Sequence, residues 1–284
     1  MYTSRAFVLF LLIGLSLAAQ TSPVPVRLPA GVTVQENVPY DTHPETVMDI
    51  YKPAGKGPHP AMIVIHGGGW TGGTKGSMVA NWVVRYLEKG FVVANVEYRL
   101  AAVATAPAAV EDAMKAANFF FDNAQKYGAD PKRVAVTGGS AGGHLALMVG
   151  MTPKSAKLGK PEKIRAVINF YGITDVDDQL HGANMRKYAV TWVPEGPERT
   201  ALARRVSPMT YVRKDVPPVL TLHGDADATV PYEHGVNITK ALTLAGAHAE
   251  MIPVPKGIHG FPRETQDLLY PIVFEFLKKH GVME

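Results

Sequence analysis

Short, mostly apolar runs recur along the chain: Ala61–Ile65, Phe91–Val96, Val134 up to Ser140, Ile164–Phe170 and Val219–Leu222, with a further strand expected at Ala249–Val254. Runs of this length without polar alternation are the trace of strands buried on both faces. Between them lie stretches with helical periodicity. These are Ser77 to Lys89, stopped by Gly90; Pro107 to Tyr127, with proline in its first turn and Gly128-Ala129-Asp130-Pro131 behind it; Ala141 to about Met151; Glu233 to Ala245; and Thr265 to Lys279. Strands alternating with helices predict an α/β fold, a mostly parallel sheet with helices on both faces. Val32–Tyr40 and Val47–Tyr51 instead alternate apolar with polar around Asp41, His43 and Pro44, and predict an antiparallel pair at a sheet edge. Residues 171–211 break the rhythm: several prolines, Tyr188 and Trp192, but no buried-strand run. A long segment of that kind predicts a small cap inserted over a site.

Composition adds bounds rather than elements. The chain has 284 residues, 46% hydrophobic and 19% charged, and residues 32–284 read as a single domain with one large core. A formal charge of +4 is spread along the chain, not gathered in basic runs, so no nucleic-acid partner is expected. Residues 1–20 carry Arg5, an apolar stretch from Phe7 to Leu17 and the small residues Ala18-Ala19, the signature of a secretory signal peptide. The apolar stretch is short for a bilayer span, so a secreted or periplasmic protein with no stable membrane span after cleavage is expected. Residues 21–31, which include a Pro-rich stretch, are expected to be extended. There is no cysteine, hence no disulfide and no Cys-based zinc site, and no H-E-x-x-H pair. Neither a metal nor a cofactor is expected.

Chemistry concentrates where apolar runs end. Gly138-Gly139-Ser140-Ala141-Gly142 joins a strand to a helix and matches the G-x-S-x-G elbow, in which a strained turn lifts a serine hydroxyl above the sheet. Side chains two residues either side of Ser140 would collide as strand and helix pack around the turn. Serine needs a base, and the base needs a group to fix its tautomer. With this elbow the expected order is Ser, acid, His. His223-Gly224-Asp225-Ala226-Asp227 follows one later strand and Gly257-Ile258-His259 another. Asp227 is the candidate acid, since Asp225 sits nearer the strand end and suits bracing the turn. Among ten histidines, His259 alone has the right position. His144 rides the elbow helix on the wrong side, and His66 suits holding the loop it begins.

That loop, His66-Gly67-Gly68-Gly69-Trp70, has two readings. Gly67 to Gly72 formally matches the dinucleotide fingerprint G-x-G-x-x-G, with Glu97 ending the next strand. Trp70 inside the turn, and a strand that is not the first of the alternating series, count against it. The run also matches the HGGG-type loop whose backbone N–H groups build an oxyanion hole with the residue after the nucleophile. Thr74 between Gly73 and Lys75 excludes a P-loop.

Together HGGGW, YRLA at Tyr98–Ala101, GGSAGGHLA, HGDADATVP and GIHGF resemble the α/β-hydrolase superfamily. More narrowly they resemble hormone-sensitive-lipase-like carboxylesterases and bifunctional feruloyl and acetyl-xylan esterases. The resemblance implies an α/β-hydrolase fold with an eight-stranded sheet, a Ser140, Asp227 and His259 triad, and an oxyanion hole from the amides of Gly68, Gly69 and Ala141. It departs from many hormone-sensitive-lipase-like members at Gly139, where they carry an acidic residue, and at Ala102-Val103 in place of Pro-Glu. The expected reaction is hydrolysis of small-molecule or polysaccharide-linked esters with acetyl, short-chain or feruloyl groups. Trp70, Tyr171, Tyr188 and Trp192 are candidates for an aromatic substrate pocket. A serine exopeptidase or acylaminoacyl peptidase is the alternative within enzymes, since GGSxGG occurs there too. A binding protein that has lost its chemistry is the alternative outside them.

Overall fold

The structure, a computed structural model, describes residues 26–284. The signal-peptide expectation for residues 1–20 lies outside that range, as do residues 21–25 of the 21–31 segment. Eight strands form one sheet: β1 (Thr33–Pro39), β2 (Val47–Lys52), β3 (His59–Ile65), β4 (Val92–Val96), β5 (Ala129–Gly139), β6 (Ala166–Phe170), β7 (Val219–Gly224) and β8 (Ala249–Val254). Their spatial order is β1-β2-β4-β3-β5-β6-β7-β8. Only β2 runs antiparallel to its neighbours, pairing with β1 and β4, and β3 to β8 are mutually parallel. The polar-alternating pair therefore sits at one edge, the partly buried β8 at the other, and the apolar runs of β4, β3, β5, β6 and β7 fill the middle, as burial on both faces requires.

Among the described residues, the α-helices are α1 (Val84–Leu87), α2 (Ala108–Asn123), α3 (Ala141–Met151), α4 (Lys187–Trp192), α5 (Arg199–Arg205), α6 (Glu233–Leu244) and α7 (Arg263–Lys279). Alternate residues of each inner strand serve the two faces. Ile63 and Ile65 pack with α2, α3 and α6, while Met62 and Val64 pack with the 75–87 segment and α7. Residues 171–211 join the α3 side through Ala189, Trp192, Ala203 and Val206.

Two elements differ from the expectation. The helix over 77–89 is a 3₁₀ turn at Lys75–Met78, a π turn at Val79–Val83 and only then α1. The Asn81 carbonyl accepts from Arg85 Nε at 3.0 Å and from the Tyr270 hydroxyl at 3.4 Å, and such outside partners accompany a widened turn. Strand β5 starts at Ala129 rather than near Val134, because Ala129 pairs with His59 across an irregularity in register. From β3 the chain goes to β4 on one side and β5 on the other. The carboxyl ends of β3 and β5 thus flank the crevice where open α/β sheets hold ligands.

Candidate active site

Strand β5 ends at Gly139, and Ser140 turns the chain into α3 with φ 57° and ψ −124°, a conformation few non-glycine residues adopt. Its neighbours impose it. A Cβ on Gly138 would stand 2.4 Å from the carbonyl of Gly142, and one on Gly142 would stand 2.1 Å from the Ile65 carbonyl oxygen. Ser140 N–H donates to the Phe170 carbonyl at 3.0 Å, fastening the turn to β6.

Ser140 Oγ lies 2.9 Å from His259 Nε2, and His259 Nδ1 lies 2.7 Å from Asp227 Oδ2. A carboxylate only accepts, so Nδ1 carries the proton and Nε2 presents its lone pair to the Ser140 O–H. The loop after β7 supplies Asp227, and the loop between β8 and α7 supplies His259. Asp227 Oδ1 accepts from the N–H groups of Thr229 (2.8 Å) and Val230 (3.0 Å). His223 Nε2 approaches Oδ2 at 3.4 Å while bonding the Val230 carbonyl at 3.0 Å. Burial opposes charge on Asp227, but hydrogen bonds from His223, His259 and the Val230 N–H outweigh it and hold the carboxyl well below the usual carboxylate range. Asp225 accepts from Lys256 N–H at 2.6 Å and braces the turn instead.

The glycine loop closes the other side. Gly68 and Gly69 have φ of +111° and +59°, and a Cβ on Gly69 would stand 2.7 Å from the Tyr188 side chain. The Gly68 carbonyl accepts from Thr71 and Gly72 N–H at 3.1 and 3.0 Å, making a tight turn. Among the described residues, no hydrogen bond engages the amides of Gly68, Gly69 or Ala141. Ala141 opens α3, whose first N–H groups have no partner within the helix and carry its positive end. His66 sets the base of the loop: Nδ1 lies 2.7 Å from the Gly67 carbonyl oxygen, Nε2 2.9 Å from Glu97, and its ring stacks on Tyr98 at 4.2 Å.

These parts border a cavity of about 390 Å³. Tyr171 and Tyr188 line it. Tyr171 stands edge-on to His259 with ring centroids 4.9 Å apart, and burial followed by the charge of Asp227 raises its hydroxyl pKa, keeping it neutral. Burial likewise pushes the Tyr188 hydroxyl up to about 12. Trp70 and Trp192 do not line it, which corrects that expectation. Both are fully buried, stacked on each other at 4.1 Å, and Trp70 Nε1 donates to His144 Nδ1 at 3.2 Å. They fasten α4 to the glycine loop from behind. His144 is accordingly a packed histidine, its Nε2 2.6 Å from the Val206 carbonyl oxygen.

Met78, Trp82 and Thr229 line the cavity and escaped sequence reasoning. The available signal was spacing: Met78 and Trp82 are four apart in the helical stretch that follows the glycine loop, hence on one face. A second cavity, about 360 Å³, lies behind Pro231 against Thr174, Asp178 and His234 and includes none of the candidate residues.

The family profile described as BD-FAE matches residues 48–242. Esterase LipQ of Mycobacterium tuberculosis is 28% identical over 86% of this chain and 58% of its own length. The isoprenylcysteine alpha-carbonyl methylesterase ICME of Arabidopsis thaliana is 26% identical over 77% and 55% respectively. The chain thus spans somewhat over half the length of these curated relatives. Among solved structures, a truncated carbohydrate esterase from gut microbiota superposes with a TM-score of 0.78 at 28% identity, covering 87% of this chain and 96% of that one. Propionate-bound esterase 2 of Thermogutta terrifontis gives 0.73 at 27%, covering 89% and 96%. With a family match over most of its length and that superposition, the chain belongs to the BD-FAE family and has an α/β-hydrolase fold.

Proposed function

We propose that the protein is a carboxylic-ester hydrolase working through an acyl-enzyme on Ser140. The continuous run from Ser140 Oγ through the His259 ring to Asp227, with contacts of 2.9 and 2.7 Å, carries this reading. His259 Nε2 takes the serine proton as Oγ attacks the ester carbonyl, and the new oxyanion is received by the amides of Gly68, Gly69 and Ala141. The tetrahedral intermediate expels the alcohol, which leaves with the proton from Nε2. Water, deprotonated by the same nitrogen, then releases the acid and restores the serine. Asp227 holds the ring and balances its transient positive charge. No cofactor takes part in this scheme.

The cavity, bordered by Met78, Trp82 and Tyr171, suits acetyl, short-chain or feruloyl groups on small or polysaccharide-linked alcohols. The names of the relatives and structural neighbours, esterases throughout those quoted, support the same class. Residues 171–211 serve as a small cap, with Tyr188 as its contribution to the cavity wall. The N-terminal pattern at residues 1–20 supports export to the periplasm or medium, read out by N-terminal sequencing of the mature protein.

Ser140→Ala tests the core of the reading. Turnover of p-nitrophenyl acetate falls by about six orders of magnitude in kcat. Retention of most of the turnover removes Ser140 from the reaction. Aminoacyl amides assayed in parallel separate ester hydrolysis from an exopeptidase activity.

A further inference from the structure

At the edge of the sheet opposite Ser140, His248 precedes β8, Glu250 lies in it, and His280 follows α7. One donor atom from each falls within 4.8 Å of the other two. His248 Nε2 is 2.8 Å from Glu250 Oε1, and the two imidazole rings lie 4.4 Å apart between centroids. We propose that these three side chains bind one divalent transition-metal cation of the zinc type. Two imidazoles and one carboxylate are a borderline-soft donor set that such ions favour over calcium or magnesium, and three protein ligands leave a position for water.

Several features hold the ligands ready. The ring of Phe276 packs beside both histidines, with centroids 4.5 Å from His280 and 6.2 Å from His248. The backbone is fastened at both ends: Val219 N–H donates to the His248 carbonyl at 3.0 Å, and Arg165 Nε donates to the His280 carbonyl at 2.7 Å. Neither ring nitrogen of His280 bonds a described residue, and Nε2 is shut off from water, which leaves that side chain without a partner inside the fold.

Lys279 opposes the ion. Its ammonium sits 2.7 Å from Glu250 Oε1, the same oxygen that His248 uses. Lys279 is more than half exposed and can swing into solvent when a cation arrives. On binding, His248 gives up its Nε2 proton to Nδ1 or to water, so the step is balanced without another reactant. A bound ion ties the start of β8 to the end of α7, the two elements that flank the His259 loop, and stabilises the folded chain by mass action.

Chelator-stripped protein is titrated with ZnCl₂ by calorimetry and its melting followed in parallel. One equivalent binds, and the melting temperature rises with zinc concentration. Glu250→Gln and His280→Ala each weaken that equivalent by at least about tenfold, while Lys279→Met tightens it. Ester turnover without zinc is unchanged in all three variants, which reports that they fold. Should His280→Ala melt early, Glu250→Gln and Lys279→Met still decide. Equal affinity in Glu250→Gln and the parent protein, weaker binding in Lys279→Met, or no saturable equivalent in the parent overturns the proposal.

Discussion

Two histidine–carboxylate pairs have nearly the same contact, and the protein treats them differently. His259 meets Asp227 at 2.7 Å and His248 meets Glu250 at 2.8 Å. The Asp227 side chain is fully covered and receives two backbone N–H groups, whereas Glu250 is more than a third exposed and shared with a lysine. In the first pair water is excluded and the carboxylate accepts from every partner around it, two backbone N–H groups and His223 included, so His259 Nδ1 carries the proton and its other nitrogen faces Ser140. In the second, water and Lys279 compete, and the pair is worth little by itself. Distance alone does not separate the two pairs; what surrounds the carboxylate does.

Substitution at the two carboxylates separates the pairs most widely. Asp227→Asn can donate to His259 Nδ1 and so favours the wrong tautomer, costing about 10⁴ in kcat by analogy with other triads. Glu250→Gln leaves kcat for p-nitrophenyl acetate unchanged. Similar losses in both would erase the contrast.

The next effect concerns the turn that aims Ser140. Gly142→Ala drives a methyl group against the Ile65 backbone, which cannot move without disturbing β3. Urea unfolding registers a loss of about 3 kcal/mol, at the upper end of overpacking costs.

A third histidine sharpens the electrostatic side. His144 is fully buried, and desolvation lowers its pKa from 6.5 to about 4. The unfolded chain takes up a proton below pH 6.5 that the folded chain refuses until about pH 4, so stability falls as pH drops through that window. Asp227, with its depressed pKa, contributes stability above the ordinary carboxylate range that is lost at still lower pH. His144→Leu flattens the upper part of the stability–pH curve, and unfolding midpoints between pH 7 and 4 measure it.

The smallest expected change is in selectivity. Trp82 packs edge-on against Phe170 at 4.7 Å and forms part of the cavity wall. Trp82→Ala raises kcat/KM for hexanoate relative to acetate esters by about tenfold, the range set by one or two methylenes of pocket space. The ratio is insensitive to any loss of folded protein. An unchanged ratio means that acyl groups lie elsewhere in the cleft.

Much of this arrangement was legible before folding was considered. Buried parallel strands declare themselves because both faces must be apolar, so β3, β4, β6 and β7 appear as runs with nearly correct ends. Glycines at 138 and 142, and in the 67–69 run, mark where backbones approach, a constraint local enough to show in a motif. The aromatic residues were less readable. Trp70 and Tyr171 both adjoin motif residues, yet one is stacked inside the core and the other lines the cleft. Side-chain type does not encode which way a loop turns. The broken helix at 75–87 is a similar case, since its π turn goes with contacts from Arg85 and from Tyr270, far away in the chain.

The order of elements, the strained serine turn and the residue types available for acyl transfer are properties of the sequence by itself, because each rests on short-range sterics or on periodic burial. What covers Asp227, which aromatic rings border the cavity and which three side chains meet beside α7 were decided only in three dimensions. Those outcomes depend on packing between segments far apart in the chain, and no local pattern carries that information.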